Sequence, residues 1–514
     1  MSIHSNIKLP SSHPFVNMDI PGLMSRLAGR HAARTLMIWE PFEGASRCWT
    51  YGQAYSDIRR IATFLKDRGV VAGDAVILHL ENSPESVLAW FACAQIGAVA
   101  VSTNARCAGE ELAYFADKSG AVGIISQPKF GAMIEEYLPD IGWKALSQQG
   151  DDSLLGASEA DPGEFGPEHP LCIQFTSGTT SRPKAVLWTH ANGLWGAMVN
   201  ARHFQLQRDD VALVTNPLFH TVALAWQLLG SLWVGASIVL QPKFSASRFW
   251  DIAVRHGCTW TTMSSFHSRA MIDQQIPANH RLRFNCGGAS FTAPDMFFGV
   301  DSFGSYGMTE LITQPVFNDP LSILDEGAMG RPAPEYEIRI AREDDTAAAF
   351  GESGELLVKG VRGLSIFAEY LDDPSTTAAC FTPDGFFRTG DLVSTRADGA
   401  IVLGDRLKDM LKIGGENVAA SEIERVIRDV PGVREVAVVG MPHVMLQEVA
   451  VAFVIPDPGS DKDLASMITD SCTRRLADFK VPRGVHIVDS LPRSFEFKVS
   501  KVELRRRLAE GMSA

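Results

Sequence analysis

The chain has 514 residues, 46% of them hydrophobic, and a formal net charge of −13 from 47 lysines and arginines against 60 aspartates and glutamates. That length and apolar content allow large buried cores and imply at least two or three domains. The acidic balance excludes a nucleic-acid surface, which demands a concentrated basic footprint, and no apolar run reaches the roughly 20 residues that a membrane span needs.

The N-terminus lacks a basic stretch followed by an apolar segment of the secretory kind. Eight cysteines, at 48, 93, 107, 172, 258, 286, 380 and 472, form no C-x-x-C pair, and His256 beside Cys258 has no further ligand residues nearby. Reduced, mostly buried thiols and a cytoplasmic location are the expectation. From residue 49 onward, helical patterns alternate with short apolar strands: 58–68 is amphipathic, 74–80 is strand-like and 84–97 is helical again. That alternation predicts an α/β fold with parallel sheets.

Residues 171–175 and 185–188 read as short buried strands. Between them, Phe175-Thr176-Ser177-Gly178-Thr179-Thr180-Ser181-Arg182-Pro183-Lys184 packs five hydroxyls, a glycine and a lysine into ten residues. Glycine lets backbone N–H groups approach phosphate oxygens, hydroxyls donate directed hydrogen bonds, and lysine adds a mobile positive charge. The spacing is not the G-x-x-x-x-G-K-S/T phosphate loop. Taken alone, the run reads equally as a polar turn; its place between two strands favours a loop that folds around a triphosphate, and hence ATP.

The strand–helix rhythm continues through 211–214, 236–240 and 282–286. Glycine and acidic residues thicken from 351 to 404, where short strands at 355–358 and 400–403 suggest a small β unit closing this body. The boundary falls at Gly404-Asp405-Arg406-Leu407-Lys408-Asp409. The predicted organisation is an N-terminal domain over 1–403, a hinge at 404–408 and a compact α+β domain over 409–514, with helices at 422–430 and 463–476 and strands at 435–439 and 449–455. Arg505-Arg506-Arg507 reads as a solvated helix end.

Five further motifs follow the Thr176 to Lys184 loop: Ser305-Tyr306-Gly307-Met308-Thr309-Glu310, Arg388-Thr389-Gly390-Asp391, Asp405-Arg406-Leu407-Lys408, Lys412-Ile413-Gly414-Gly415-Glu416-Asn417, and Leu491-Pro492-Arg493 with Lys498. With these in this order the chain resembles, over nearly its whole length, the adenylate-forming superfamily of acyl-CoA synthetases, luciferase-type enzymes and peptide-synthetase adenylation domains. Ser181 and Ala185 stand where most members carry glycine, and Phe497 replaces the usual glycine before the lysine. The strings Ser181-Arg182-Pro183-Lys184 and Ser305-Tyr306-Gly307-Met308 are most similar to the branch that activates carnitine and crotonobetaine.

The resemblance implies a large N-terminal domain of parallel and mixed sheets with a closing β unit, a small mobile α+β C-terminal domain, and ATP, Mg²⁺ and coenzyme A as co-reactants. Thr176, Ser177, Gly178, Thr179, Thr180 and Lys184 would cradle phosphates. Thr309 would hold the α-phosphate and Glu310 would ligate Mg²⁺. Gly288, Ala289 and Ser290 resemble the adenine-pocket segment, with Tyr306 stacking on the base beside Gly307; Asp391 would accept the ribose hydroxyls and Arg406 would reach ribose or phosphate. Lys498 would bridge the attacking carboxylate and the α-phosphate, two anions that a cation must bring together. Lys408 falls at the hinge, and Lys412 and Gly415 belong to the face used for thioester formation, the glycine lining a pantetheine tunnel. His220 would stand between carboxylate and thiol.

Each of these residues has a plainer reading when isolated: Thr309 and Glu310 as a helix start, Asp391 as a turn residue, Lys498 as a solvated lysine, and His220 as packed against Phe219. The acyl pocket is expected near 217–221, 264–267, Gly288 and Gly307. Phe219, Trp226, Phe266 and Met308 would make it apolar, and Trp226 and Phe266 are either an aromatic face for a quaternary ammonium or simply core. The expected activity is AMP-forming ligation of a small to medium organic carboxylate to CoA. An enzyme that loads a carrier protein and a non-catalytic nucleotide-binding module are the alternatives. No carrier-like domain is attached, which counts against the first, and the second would not be expected to keep both Glu310 and Lys498. The partner is a small-molecule carboxylate; its identity and the oligomeric state, a homodimer included, stay open.

Overall fold

The helix expected at 58–68 runs instead over Tyr51–Lys66. Its earlier start is a capping effect: the Thr50 hydroxyl accepts from Gln53 N at 3.2 Å while the Gln53 side chain accepts from Thr50 N at 2.9 Å, satisfying donors that a helix N-terminus leaves open. The same reciprocal pair, Ser83 with Ser86 and Thr189 with Asn192, begins the helices Pro84–Gln95 and His190–His203. The computed structural model describes residues 2–5, 7–148, 152–176, 182–263, 265–271, 273–286, 300–319, 324, 327–342, 344–406, 410–457, 459–460, 463–492 and 499–511.

The chain forms two units, one from residues 1–105, 115–175 and 185–405, the other from 106–114, 176–184 and 406–514. The first contains two seven-stranded sheets. In one, the order is Asp301–Phe303, Phe284–Cys286, Trp260–Thr262, Val211–Val214, Ser237–Leu240, Thr35–Trp39 and Arg47–Thr50, parallel except for the last pair. In the other, the order is Glu369–Tyr370, Lys184–Thr189, Pro170–Thr176, Val99–Ser102, Ala75–His79, Gly123–Ser126 and Trp143–Leu146, parallel from Pro170–Thr176 onward. Strands such as Ala75–His79 are buried along their whole length, as parallel strands covered on both faces must be.

A four-stranded sheet, Glu337–Ala341, Gly354–Lys359, Phe387–Thr395 and Ile401–Arg406, forms the β unit expected from 355–358 and 400–403. It is larger than expected because Glu337–Ala341 is only partly buried and shows no strong apolar signal.

In the second unit, Glu416–Ala419, Met410–Ile413, Gln447–Pro456 and Val433–His443 follow one another, and Gly484–Ile487 pairs parallel to Gln447–Pro456. The helices Ala420–Arg428 and Leu464–Arg475 supply Ile423, Val426 and Ile468 to a core that includes Leu411, Val438 and Val454. Lys480 is buried and its Nζ lies 2.5 Å from Glu111 and 2.7 Å from Glu422. Burial alone would lower its pKa, but the two carboxylates outweigh that and raise it, so the ammonium stays charged.

All eight cysteines are thiols and six are buried. Among the described residues no helix is long and apolar enough to cross a membrane.

Candidate active site

Chain direction around Thr309 is set by a glycine. A Cβ on Gly307 would stand 2.6 Å from the Thr313 carbonyl oxygen and 2.8 Å from the Trp226 ring, so no side chain fits where the strand Ser305–Tyr306 ends. Thr309–Leu311 is then a single 3₁₀ turn without a side-chain cap, which removes the reading of Thr309 as a helix cap. Trp188 Nε1 donates to Thr309 O at 3.0 Å. Thr309 is partly exposed, and its hydroxyl lies 3.4 Å from that of Thr221, which donates to buried Gln174 at 2.8 Å.

Glu310 is 4% exposed. Its Oε1 accepts from Tyr370 Oη at 2.8 Å and its backbone carbonyl accepts from Phe367 N at 2.8 Å. Burial first, then the Glu310 charge, pushes the Tyr370 phenol far above its ordinary pKa, so it remains a donor at every working pH. Among the described residues no group of three or more His, Cys, Asp or Glu is placed to hold a metal ion.

The second carboxylate is tied to the same segment. Tyr306 Oη donates to Asp391 Oδ2 at 2.7 Å. Asp391 follows Gly390, whose φ of 72° makes the bend and whose N–H donates to Glu355 at 2.9 Å; the Thr389 hydroxyl donates to Leu356 O at 2.7 Å. Two bonds on the neighbouring strand therefore hold the bend, while the phenol orients the carboxylate. Removing that phenol with Tyr306→Phe should raise the KM for ATP by at least about tenfold, the lower end of the scale of one hydrogen bond to a charged group, with kcat within about twofold. Steady-state kinetics with varied ATP measures both.

The 217–221 segment is fixed by a residue that no motif marks. Asn82 accepts from Leu218 N at 2.8 Å and donates to Asn216 O at 2.9 Å and Gln241 O at 3.2 Å. His220 is partly exposed and its ring centroid lies 4.2 Å from that of Phe219. Trp226 is 6% exposed and its Nε1 donates to Ile312 O at 3.2 Å, an indole used inside the core.

Thr176 ends the strand Pro170–Thr176 and Lys184 opens Lys184–Thr189. Lys412 and Gly415 lie on a hairpin of the second unit, where Gly414 and Gly415 make a two-residue turn with φ of 61° and 91°, the positive pair such a turn requires. Lys412 N donates to Glu448 at 2.7 Å. Ser177, Gly178, Thr179, Thr180, Gly288, Ala289, Ser290 and Lys498, together with Leu407, Lys408, Ser181, Phe497 and the side chains of Arg406 and Phe266, lie outside the described residues. Within the first unit, Tyr306, Gly307, Thr309, Glu310 and Asp391 are linked to Thr221, the end of the 217–221 segment, and to Gln174 and Tyr370, two residues that the sequence motifs did not include.

A family model described as AMP-binding enzyme matches residues 24–371, and one described as AMP-binding enzyme C-terminal domain matches residues 422–498. The chain belongs to the AMP-binding enzyme family. This AMP-binding enzyme is 32% identical over 518 residues to a crotonobetaine/carnitine–CoA ligase of Salmonella choleraesuis, with 95% of this chain and 100% of the relative covered. Among solved structures, a double mutant of o-succinylbenzoate CoA synthetase (MenE) from Bacillus subtilis with its product analogue OSB-NCoA superposes with a TM-score of 0.84 at 26% identity, covering 94% of this chain and 98% of that one. ATP-bound MatB from Rhodopseudomonas palustris gives 0.70 at 27% identity, covering 95% and 99%. The α/β architecture with a larger N-terminal and a smaller C-terminal part is that of these enzymes.

Proposed function

We propose that this AMP-binding enzyme is an AMP-forming carboxylate–CoA ligase. A carboxylate oxygen attacks the α-phosphorus of ATP, the bond to the β-phosphate oxygen breaks and pyrophosphate leaves; the CoA thiolate then attacks the acyl carbon of the adenylate and AMP leaves. The observation that carries this reading is one short segment, 306–310, on which Thr309 and the buried Glu310 are chain neighbours and from which Tyr306 holds the Asp391 carboxylate, in a chain whose relative over its full length is a CoA ligase.

In this reading Thr309 donates to an α-phosphate oxygen and Asp391 accepts from the ribose hydroxyls. Glu310 would hold Mg²⁺, whose charge would neutralise phosphate oxygens. Residues 176–180 and Lys184 bind the remaining phosphates, residues 288–290 and Tyr306 bind the adenine beside Gly307, and Arg406 reaches ribose or phosphate. Lys498 supplies the cation for adenylation, Lys412 and Gly415 serve the thioester step, and His220 stands where carboxylate and thiol exchange. The division into 1–403, a hinge at 404–408 and 409–514 lets the two lysines act in turn. The location is cytoplasmic, in keeping with buried thiols that form no disulfide.

The likeness to the carnitine and crotonobetaine branch makes short acids bearing a quaternary ammonium the first to test. Purified protein is incubated with ATP, Mg²⁺, CoA and a panel of acids, and acyl-CoA, AMP and pyrophosphate are quantified by mass spectrometry and a coupled assay. Stoichiometric acyl-CoA and AMP support the reading. Pyrophosphate release with transfer only to a carrier protein replaces it with the loading enzyme, and no pyrophosphate with any acid replaces it with a binding module.

A further inference from the structure

The turn that carries Thr309 and Glu310 ends in a backbone conformation that few side chains adopt. Ile312 sits at φ 62°, ψ −45° and is fully buried, and Thr313 N donates to Leu311 O at 2.6 Å across it. A hydrogen bond closing over one residue at positive φ is a γ-turn of the rare, strained kind, and a β-branched residue holds it only with outside support. Packing keeps the isoleucine in place: its Cγ2 lies 3.1 Å from where a Cβ on Gly196 would stand, so the helix His190–His203 is bare at that point.

The backbone of the turn is held from two sides. Tyr336 Oη donates to Leu311 O at 3.1 Å and lies 2.6 Å from Thr313 Oγ1. From the other side comes the Trp226 bond to Ile312 O at 3.2 Å. Trp226 belongs to the π-helix Val222–Leu229, whose end shows the wide winding: Gly230 N reaches back to Ala225 O. Five residues before Trp226 is Thr221, whose hydroxyl lies 3.4 Å from that of Thr309. In an α-helix, residues five apart point about 140° away from each other, whereas i→i+5 winding, which starts here from the cap residue Thr221, turns them toward one face. The π-winding therefore lets one face of this helix touch the catalytic turn at Thr309 and again at Ile312.

We propose that Trp226 is a positioning residue for adenylation: its indole N–H clamps the strained γ-turn at Ile312 and thereby presents the Thr309 hydroxyl and the Glu310 carboxylate. The proposal deepens the ligase reading and rests on it for the rate measurement alone. Trp226→Phe keeps an aromatic ring and deletes the N–H. In the full-length protein without substrates, hydrogen–deuterium exchange of residues 309–314 should become about tenfold faster, with the rest of the chain and the melting temperature little changed. In ATP–pyrophosphate exchange, kcat should fall about tenfold with the KM for ATP nearly unaltered. Ile312→Gly accepts positive φ without strain, so Trp226→Phe should cost distinctly less in that background than in the wild type. Unchanged hydrogen exchange over 309–314, a loss spread over the whole chain with a lower melting temperature, or an equal kcat cost in both backgrounds would overturn the clamp. A wild-type protein that exchanges no pyrophosphate with any acid ends the ligase reading, while the hydrogen-exchange comparison still decides the role of Trp226.

Discussion

Glu310→Gln should slow adenylate formation by about 10²–10³-fold while leaving the fold intact, a loss on the scale of removing one preorganised electrostatic group from a dry site. The substitution keeps the volume of a side chain that is 4% exposed, and the amide oxygen can still accept from Tyr370 Oη where the carboxylate now does at 2.8 Å. What it removes is the negative charge. Tyr370→Phe separates charge from orientation: the carboxylate stays and its donor goes. Adenylation should then fall about tenfold, the scale of one hydrogen bond to a charged group, and the Mg²⁺ concentration needed for half-maximal rate should rise. Because burial and the Glu310 charge keep the Tyr370 phenol protonated well above the ordinary range, its loss should not move the alkaline limb of the pH–rate profile. ATP–pyrophosphate exchange, titrated with Mg²⁺ for each variant, reads all three effects. A Glu310→Gln rate within about tenfold of wild type would remove the carboxylate from its role.

The contrast between Glu310 and Tyr370 also shows what the chain made legible before its fold. Thr309, Glu310 and Asp391 stand in short strings whose residue types announce phosphate and ribose chemistry. Tyr370 and Trp188 do not: each reaches the turn across a long chain separation, through the sheet containing Lys184–Thr189 and Glu369–Tyr370, while Thr221 reaches it from the cap of the π-helix and is itself held by Gln174. No local pattern encodes such a meeting. Strands with unbroken apolar runs, such as Val211–Val214 and Ala75–His79, were readable because burial on both faces leaves no alternative composition. Glu337–Ala341 and Glu416–Ala419 were not, because partly exposed strands mix polar and apolar residues as loops do. The early start of Tyr51–Lys66 had a signal in Thr50 and Gln53, three residues apart, which apolar periodicity alone passes over. The γ-turn at Ile312 had none, since isoleucine is among the residues least suited to positive φ.

Lys498→Ala should abolish adenylation, by about 10³-fold or more, and leave thioester formation from supplied acyl-AMP within a few-fold of wild type. A carboxylate and a phosphate repel as they approach, and only a cation placed between them in the transition state relieves that repulsion; once the mixed anhydride exists, the thiolate attacks a neutral acyl carbon and the bridging cation has no further task. Lys498 is the last residue matched by the family's C-terminal model, which runs over 422–498. Lys412 lies on the hairpin turned by Gly414 and Gly415, and Lys412→Ala should give the converse: adenylation preserved and the thioester step slowed. Two assays, pyrophosphate exchange and acyl-CoA formation from synthetic acyl-AMP, run on both variants form a two-by-two comparison. Equal loss in both assays for either lysine would mean that one arrangement of the unit serves both steps. Phe497 sharpens the comparison, because it occupies the place where family members usually carry glycine. Phe497→Gly, which restores the residue usual at that place, should change adenylation, the half-reaction that Lys498→Ala removes, without touching thioester formation.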